Sequence, residues 1–175
     1  MNKQKNISSF ETACWFYQKA QTDKIRITDS KIQHLLFLSQ LHYALKHGSY
    51  LMPTLFVCFD RGFYEASVQN ILSYGIPPIS FTDMAHTDFL ELIWQKYGQM
   101  PEDKLRQFIL SLDCFKNCYR PERETVVNPL NFADSFSQDL QNHKNTSSTT
   151  KVLISQNGPV KVSAWTPRKL TDSKK

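Results

Sequence analysis

The stretch ITDSKIQHLLFLSQLHYAL, residues 27–45, decides which kind of fold this chain can adopt. Its apolar residues recur at helical spacing, and additional leucines widen the apolar stripe, so the pattern predicts a helix that is buried on most sides. Thr28 or Asp29 is expected to cap its start, and Gly48 to end it. Four polar side chains nevertheless lie on or beside the apolar face: Gln33, His34, Gln40 and His42.

Helical signals on either side of this stretch predict a mainly α fold, a compact bundle of five to six helices. Ser8 and Glu11 fit a capping box at the start of the first helix. A third helix is expected over residues 64–74, a fourth from 82 or 87 to 97, a fifth from Pro101, and a short sixth over 114–119. Residues 50–59 are apolar but contain Pro53, so they predict a loop or an irregular extended segment, followed by a turn at 60–62.

Composition divides the chain into three parts. Residues 1–125 form the predicted helical domain, and residues 126–150 hold one amphipathic segment and then a polar linker from 142 to 150. Residues 151–175 form a basic C-terminal extension. Two alternating runs around Asn157 and Gly158 predict a small β-hairpin there, although Pro159 lacks the backbone donor that a two-residue hairpin uses. A looser turn, or strands that pair elsewhere, are the alternatives.

The composition also excludes several classes of protein. Five glycines in 175 residues argue against a barrel with many tight turns and against a glycine-rich nucleotide loop. No stretch approaches the ~18–20 apolar residues of a membrane-spanning helix, and no hydrophobic segment follows the basic N-terminus as a signal peptide requires. We therefore expect a cytoplasmic protein that makes no membrane contact and keeps its four cysteines reduced.

No sequence motif indicates catalysis. Cys114 and Cys118 would share a helix face, but no second Cys/His pair nearby completes a zinc site. His34 and His42 lie roughly two helical turns apart, where histidines hydrogen-bonded at a packing seam are favoured over a metal or acid–base site. There is no nucleophile elbow, P-loop or dinucleotide fingerprint. We expect a non-enzymatic protein that needs no metal or cofactor.

The charge of the chain is unevenly distributed. Residues 32–143 hold eight Lys/Arg and twelve Asp/Glu, a net charge of −4, whereas residues 144–175 hold seven and one, a net charge of +6. A solvated tail is the more common reason for such a segment. The alternative is a nucleic-acid-associated regulator whose tail supplies stacking and phosphate contacts, so that binding weakens steeply with salt. The residues for those contacts are Lys161, Trp165, Arg168 and Lys169.

Four motifs follow one another in an order that resembles the Panacea-domain family. AxWFxxKA spans residues 13–20, KIQHLLFLSQ spans 31–40, Arg61-Gly62 forms a turn before a helix, and FLxxIWxxYG spans 89–98. The resemblance covers about residues 9–118 and leaves the tail unexplained. Gly62-Phe63-Tyr64 stands where family members usually carry Gly-Pro-Val, and their later Thr-His and Pro-Trp signature is missing around residues 110–119.

The resemblance implies a compact helical domain that binds proteins. Members of this bacterial, often prophage-associated family neutralise toxins of toxin–antitoxin pairs, and at least one type presents its toxin to a Clp-type protease. The expected partner is therefore a protein, either a toxin or such a protease. The implied binding groove runs along the second helix and the following turn, with the basic tail as a second contact. Its candidate partner-binding residues are Gln33, His34, Leu36, Phe37, Gln40, His42 and Arg61.

Overall fold

A computed structural model describes residues 7–72, 74–75, 84–148, 151–155 and 158–162, with side chains described up to residue 143. The described chain is mainly helical and includes a small three-stranded antiparallel sheet. Within these ranges, no helix combines the length and the apolar character that crossing a membrane requires. The α-helices are α1 Ser9–Thr22, α2 Asp29–His47, α3 Ala66–Leu72, α4 Thr87–Ile93, α5 Glu102–Ser111, α6 Asp113–Cys118 and α7 Ala133–Ser148.

The chain separates into two compact units, Met1–Ser137 and Gln138–Lys175. The predicted domain boundary after residue 125 falls inside the first unit, because a strand formed by Thr125–Val127 pairs with one formed by Phe56–Phe59. A 3₁₀ turn over Pro129–Phe132 and the start of α7 also belong to the first unit.

The ends of α1 and α2 follow the predicted signals. The Ser8 hydroxyl accepts a hydrogen bond from the Glu11 amide at 3.1 Å, and the Glu11 carboxylate accepts one from the Ser8 amide at 3.0 Å, which completes the capping box. At α2 the cap is Thr28, whose hydroxyl accepts from the Lys31 amide at 3.2 Å. The helix ends at Gly48, which has a left-handed φ of 61°.

Helix α2 forms the centre of the first unit. Every residue from Lys31 to Ala44 except His42 is buried, which confirms the prediction of a helix covered on most sides. It contacts α1, α3, α4, α5 and the sheet. A helix in this position has no solvent-facing side to which its polar groups can turn, so each of them has to find a partner inside the protein.

The three-stranded sheet corrects two predictions. Strands β1 (Phe56–Phe59), β2 (Gly62–Tyr64) and β3 (Thr125–Val127) pair antiparallel in the order β2-β1-β3. The predicted loop therefore ends in a strand, because Pro53 precedes the paired residues and removes no ladder hydrogen bond. The predicted third helix starts later than expected, at Ala66, since Tyr64 belongs to β2. The predicted turn is a two-residue connection at Asp60 and Arg61.

Helix α4 continues into a π-helical turn, Trp94–Gly98. A buried lysine of α2 donates hydrogen bonds at the carbonyl end of this turn. The Lys31 ammonium donates to the carbonyl oxygens of Gly98, at 2.5 Å, and Met100, at 2.9 Å. Burial lowers the pKa of Lys31, and the two carbonyls compensate part of the lost hydration. A Cβ at Gly98 would overlap the Trp94 indole, so this position requires glycine for packing.

The C-terminal segment differs from its prediction in one respect. Helix α7 extends to Ser148, so residues 142–148 are helical and not a linker. Strands β4 (Lys151–Ser155) and β5 (Gly158–Val162) pair antiparallel, with Ser155 opposite Gly158 and Ile154 opposite Pro159. Pairs alternate between hydrogen-bonded and non-hydrogen-bonded, and a hairpin closes on a hydrogen-bonded pair. Pro159 therefore falls where no donor is required, and the predicted hairpin is present. Its predicted turn residue Asn157 lies outside the described residues.

The contact between Gly98 and Trp94 gives a stability prediction. Gly98→Ala should lower the free energy of unfolding by about 1–3 kcal/mol, because the added methyl group overfills a packed site. Urea unfolding followed by tryptophan fluorescence measures the change. Gly48→Asn is the matched control, since Gly48 has open space around it and asparagine tolerates its φ of 61°. Equal losses in the two variants would contradict the packing explanation.

Candidate functional site

The polar residues of α2 meet the free edge of β2. Gly62 pairs with Phe59 at the end of the β1–β2 hairpin, and along this strand the backbone groups of alternate residues face β1. Glu65 follows β2 directly and lies three residues beyond Gly62, so its backbone groups point away from β1. There the Gln33 side-chain amide pairs with Glu65 as a neighbouring strand would. Its Oε1 accepts from the Glu65 amide at 2.8 Å, and its Nε2 donates to the Glu65 carbonyl at 3.2 Å. The strand edge is thus covered by a helix and hydrogen-bonded to it.

His34 makes the next contact along the same edge. Its Nε2 lies 3.1 Å from the Arg61 carbonyl oxygen, which only accepts, so Nε2 carries the proton. Nδ1 is then a free lone-pair acceptor, and it is buried without a hydrogen-bond partner. Burial lowers the pKa of His34 and keeps the ring neutral. Gly62 permits this approach, because a Cβ there would lie 2.8 Å from Nε2.

Three predicted contact residues lie wholly in the core. Leu36, Phe37 and Gln40 have no exposed surface. Phe37 stacks on Phe63 with ring centroids 3.7 Å apart, and Gln40 Oε1 accepts from the Met52 amide at 2.9 Å. These three residues cannot contact a partner as predicted, because their side chains are inaccessible in the core.

His42 is likewise committed to packing. Its Nε2 lies 2.8 Å from the Tyr97 hydroxyl oxygen, and its ring meets Phe136 edge to face at 4.9 Å. Burial, with a smaller contribution from Lys96, lowers the pKa of His42 to about 3. The two histidines of α2 therefore have separate partners. Among the described residues, no group of three or more His, Cys, Asp or Glu side chains could hold a metal ion.

Gln33, His34 and Arg61 do come together, in a cleft of about 690 Å³. The cleft lies between the first turns of α2 and the β1–β2 hairpin, and Gln69 of α3 and Glu124 complete its wall. Arg61 and the carboxylates at its rim are exposed. We refer to this cavity as the hairpin cleft. Its charged residues are Asp29, Asp60, Arg61 and Glu124.

Two tyrosines hold the rim carboxylates, a feature that the sequence did not predict. The Tyr64 hydroxyl donates to Glu124 at 2.6 Å, and the Tyr119 hydroxyl donates to Asp60 at 3.0 Å. Each pair joins residues about sixty positions apart, and only the pairing of β1 with β3 brings them together. No local pattern around these residues signals the contact.

The outward side of the sheet carries an exposed apolar surface. Val57 lies opposite both Tyr64 and Val126, so the three form one row across the sheet. The exposed fraction is 67% for Val126 and 52% for Leu55, which precedes β1 on the same side. We call Leu55, Val57, Tyr64 and Val126 the outer sheet face. Tyr64 belongs to this face and to the hairpin cleft.

Three of the four cysteine thiols are not activated. Burial raises the pKa of Cys14 to about 11 and that of Cys58 to about 12, and it also raises the pKa of Cys118. A thiol in this state is a poor nucleophile, because the thiolate is the reactive form. The structure does not describe the side chains of the candidate nucleic-acid residues: Lys161 lies in β5 without a described side chain, and Trp165, Arg168 and Lys169 lie outside the described residues.

No family model, curated protein or solved structure matches the chain. The resemblance to Panacea domains therefore rests on the sequence motifs alone. In the structure these motifs contact one another. Lys31 caps the turn that contains Gly98, and the Trp94 indole donates to Asp23 at 2.7 Å, beside the ion pair of Asp23 with Lys19.

Gln33 tests the covering of the β2 edge. Gln33→Leu should lower the free energy of unfolding by about 1–3 kcal/mol, because it leaves the buried amide of Glu65 without a partner, whereas the Glu65 carbonyl keeps its bond from the Gln69 amide. Chemical denaturation measures the loss. Gln69→Leu is the control, because the exposed Gln69 contacts only the outer side of the Gln33 amide. A Gln33 variant as stable as this control would refute the role of the edge contact.

His42 predicts a pH dependence of stability. Its pKa is about 3 in the folded chain and about 6.5 when unfolded, so between these values the unfolded state binds the extra proton and stability falls as the pH falls. Between pH 7.5 and 5.0 the wild type should lose about 2 kcal/mol more than His42→Gln. Urea unfolding at both pH values measures this difference. His47→Gln, at an exposed position of α2, should lose as much as the wild type; identical pH profiles for His42→Gln and the wild type would contradict the prediction.

Proposed function

We propose that this chain is a non-enzymatic protein-interaction domain, of the kind that neutralises a toxin or delivers it to a protease. The observation that carries the proposal is the hairpin cleft. Gln33, His34 and Arg61 were predicted as contacts from two separate motifs, and all three line this one cavity. The proposed docking surface is therefore the hairpin cleft together with the outer sheet face.

The outer sheet face supports protein binding. Val126 lies in β3 and Leu55 directly precedes β1. Each exposes more than half of its surface, although adjacent residues of these strands are buried. Contiguous exposed apolar residues with a polar rim are typical of interaction sites. Here the charged residues of the hairpin cleft provide such a rim, since Tyr64 joins the two surfaces.

The state of the nucleophilic groups supports a binding function over a catalytic one. The pKa of Cys14, Cys58 and Cys118 is raised, which disfavours the reactive thiolate. His42 is held by Tyr97 and Phe136, and His34 donates its proton to a backbone carbonyl. These groups support the fold, and none of them is paired with a serine or thiol to be activated.

The nucleic-acid alternative keeps one supporting observation, the net charge of +6 over residues 144–175. It predicts that the recovered partner is lost after nuclease treatment or at raised salt. A protein partner bound through an apolar face should survive both treatments. The same purification therefore separates the two functions.

The test is affinity purification of the tagged chain from its native host after nuclease treatment, with the partner quantified by mass spectrometry. We expect one stoichiometric protein. Val126→Glu should reduce its recovery about tenfold, because a charge would be buried at the interface, and Arg61→Ala should reduce it severalfold.

Two exposed positions outside this surface provide matched controls. Leu92→Glu introduces the same charge at an apolar residue that is 60% exposed on α4, and Arg26→Ala removes an exposed arginine before α2. Both should retain the partner as the wild type does. Absence of a stoichiometric protein would refute the proposed function. Equal recovery with all four variants would refute the proposed surface.

A further inference from the structure

We infer that the partner protein binds by adding an extended strand to the free edge of β3. This inference rests on the proposed function and specifies how the partner engages the outer sheet face. The sheet has the order β2-β1-β3, so β3 is one of its two outer strands. Among the described strands, β3 pairs with β1 alone.

The register of the sheet identifies the backbone groups of β3 that face outward. Phe59 and Gly62 close a two-residue hairpin, and such a hairpin closes on a hydrogen-bonded pair. Because the two kinds of pair alternate along the ladder, the backbone of Val57 bonds to β2 and the backbone of Cys58 bonds to β3. Val126 lies opposite Val57, so its N–H and C=O point away from β1, toward the open edge.

The two edges of the sheet differ in how they are covered. At the β2 edge, the Gln33 side chain bonds to both backbone groups of Glu65. At the β3 edge, Val126 is 67% exposed. The strand consists of Thr125, Val126 and Val127, and it contains none of the lysine or proline that proteins place on exposed edges. An exposed edge of β-branched residues is a template for pairing with another strand.

The side chains around this edge define the strand that fits it. An N–H and a C=O that point outward from one residue are matched by the backbone of an added strand. On the outer sheet face, Val126 continues the apolar row of Val57 and Tyr64. Glu124 lies two residues earlier, on the same side, where it accepts from the Tyr64 hydroxyl at 2.6 Å. The fitting strand therefore places an apolar residue beside Val126 and a lysine or arginine beside Glu124.

A second copy of this chain fits the edge less well than a strand of another protein. An antiparallel pairing centred on Val126 would place Glu124 opposite Asn128 of the other copy. Asn128 carries no charge, and its side chain already bonds to the Tyr50 hydroxyl and the Leu130 amide. Two three-residue strands are also too short to bury the ~1,000 Å² of a stable interface. A partner that also covers the outer sheet face buries more surface.

The test uses the full chain and blocked peptides in an NMR titration. The probe is acetyl-Ser-Thr-Val-Thr-Lys-amide, whose valine lies beside Val126 and whose lysine lies beside Glu124 in an antiparallel pairing. We expect saturable shifts of the Val126 amide signal and slower exchange of its proton with solvent. N-methylation of the peptide valine removes the donor to the Val126 carbonyl and should raise the dissociation constant about tenfold. N-methylation of the next threonine, whose N–H faces away from β3, is the matched control and should leave the dissociation constant unchanged.

A second comparison tests the charge. Glutamate in place of the peptide lysine should raise the dissociation constant about threefold, because it lies beside Glu124. Glu124→Gln keeps an oxygen for the Tyr64 hydroxyl and should bind the two peptides equally. Glu122→Gln removes an exposed acid from the turn before β3 and should retain the preference for lysine.

Two substitutions test the same edge with the protein partner. Val126→Pro keeps an apolar side chain but removes the outward N–H, which β1 does not use, so the chain should fold and recover about tenfold less partner. Val126→Thr keeps the donor and the β-branched shape, so recovery should fall less than about threefold. The amide spectrum shows whether each variant is folded. The two methylated peptides decide the question alone for a proline variant that does not fold.

Three results would overturn the inference. The first is equal binding of the two methylated peptides, and the second is a folded Val126→Pro chain that recovers the partner as the wild type does. The third is a dimer of the chain alone, detected by sedimentation, in which the Val126 amide is protected from exchange, because a second copy would then occupy the edge. A stoichiometric partner recovered equally by the wild type and by Val126→Pro would leave the proposed function standing and refute only the strand pairing.

Discussion

The structure depends on how α2 satisfies its polar groups inside the core. Gln33 replaces a missing strand at the edge of β2, Lys31 closes the π-helical turn after α4, and Gln40 holds the Met52 amide. Each of these side chains crosses to a different element, so one helix fixes the positions of the sheet, of α4 and of the segment before β1. Removing any of them leaves a buried backbone group unpaired, which costs more than the bond contributes when it is made.

This constraint explains why the motifs of the sequence occur together. Gly98 has no side chain because the Trp94 indole occupies that space, and its carbonyl is free for Lys31 because the π-helical turn ends at this residue. Trp94 in turn reaches Asp23 at the end of α1. The residues that resemble a Panacea domain are thus largely a connected internal network. Conservation of such a network would report on the fold, whereas the binding surface can vary around it.

Sequence patterns predicted what is local and missed what is distant. The capping box at Ser8, the cap at Thr28 and the stop at Gly48 each depend on residues within one helical turn, and the structure has all three. The sheet was missed because β1 pairs with β3, almost seventy residues later, and three-residue strands have too few positions for alternation to be recognised. The hairpin cleft was found only in part for the same reason. Gln33, His34 and Arg61 lie in readable motifs, whereas Glu124 joins them through β3.

The buried polar residues of α2 and the open hairpin cleft both result from the packing of a helix against a strand edge. A helix that bonds a strand edge through its side chains lies farther from that strand than a neighbouring strand would, because the side chains stand between the two backbones. The Gln33 and His34 side chains bridge this distance at Glu65 and Arg61, and the space beside them, toward the hairpin end and Asp29, stays open as the cleft. The groups that stabilise the interior therefore also shape the surface where binding is proposed. A substitution at Gln33 or His34 would change both, whereas Asp60, Arg61 and Glu124 can change the chemistry of the cleft while the core stays intact.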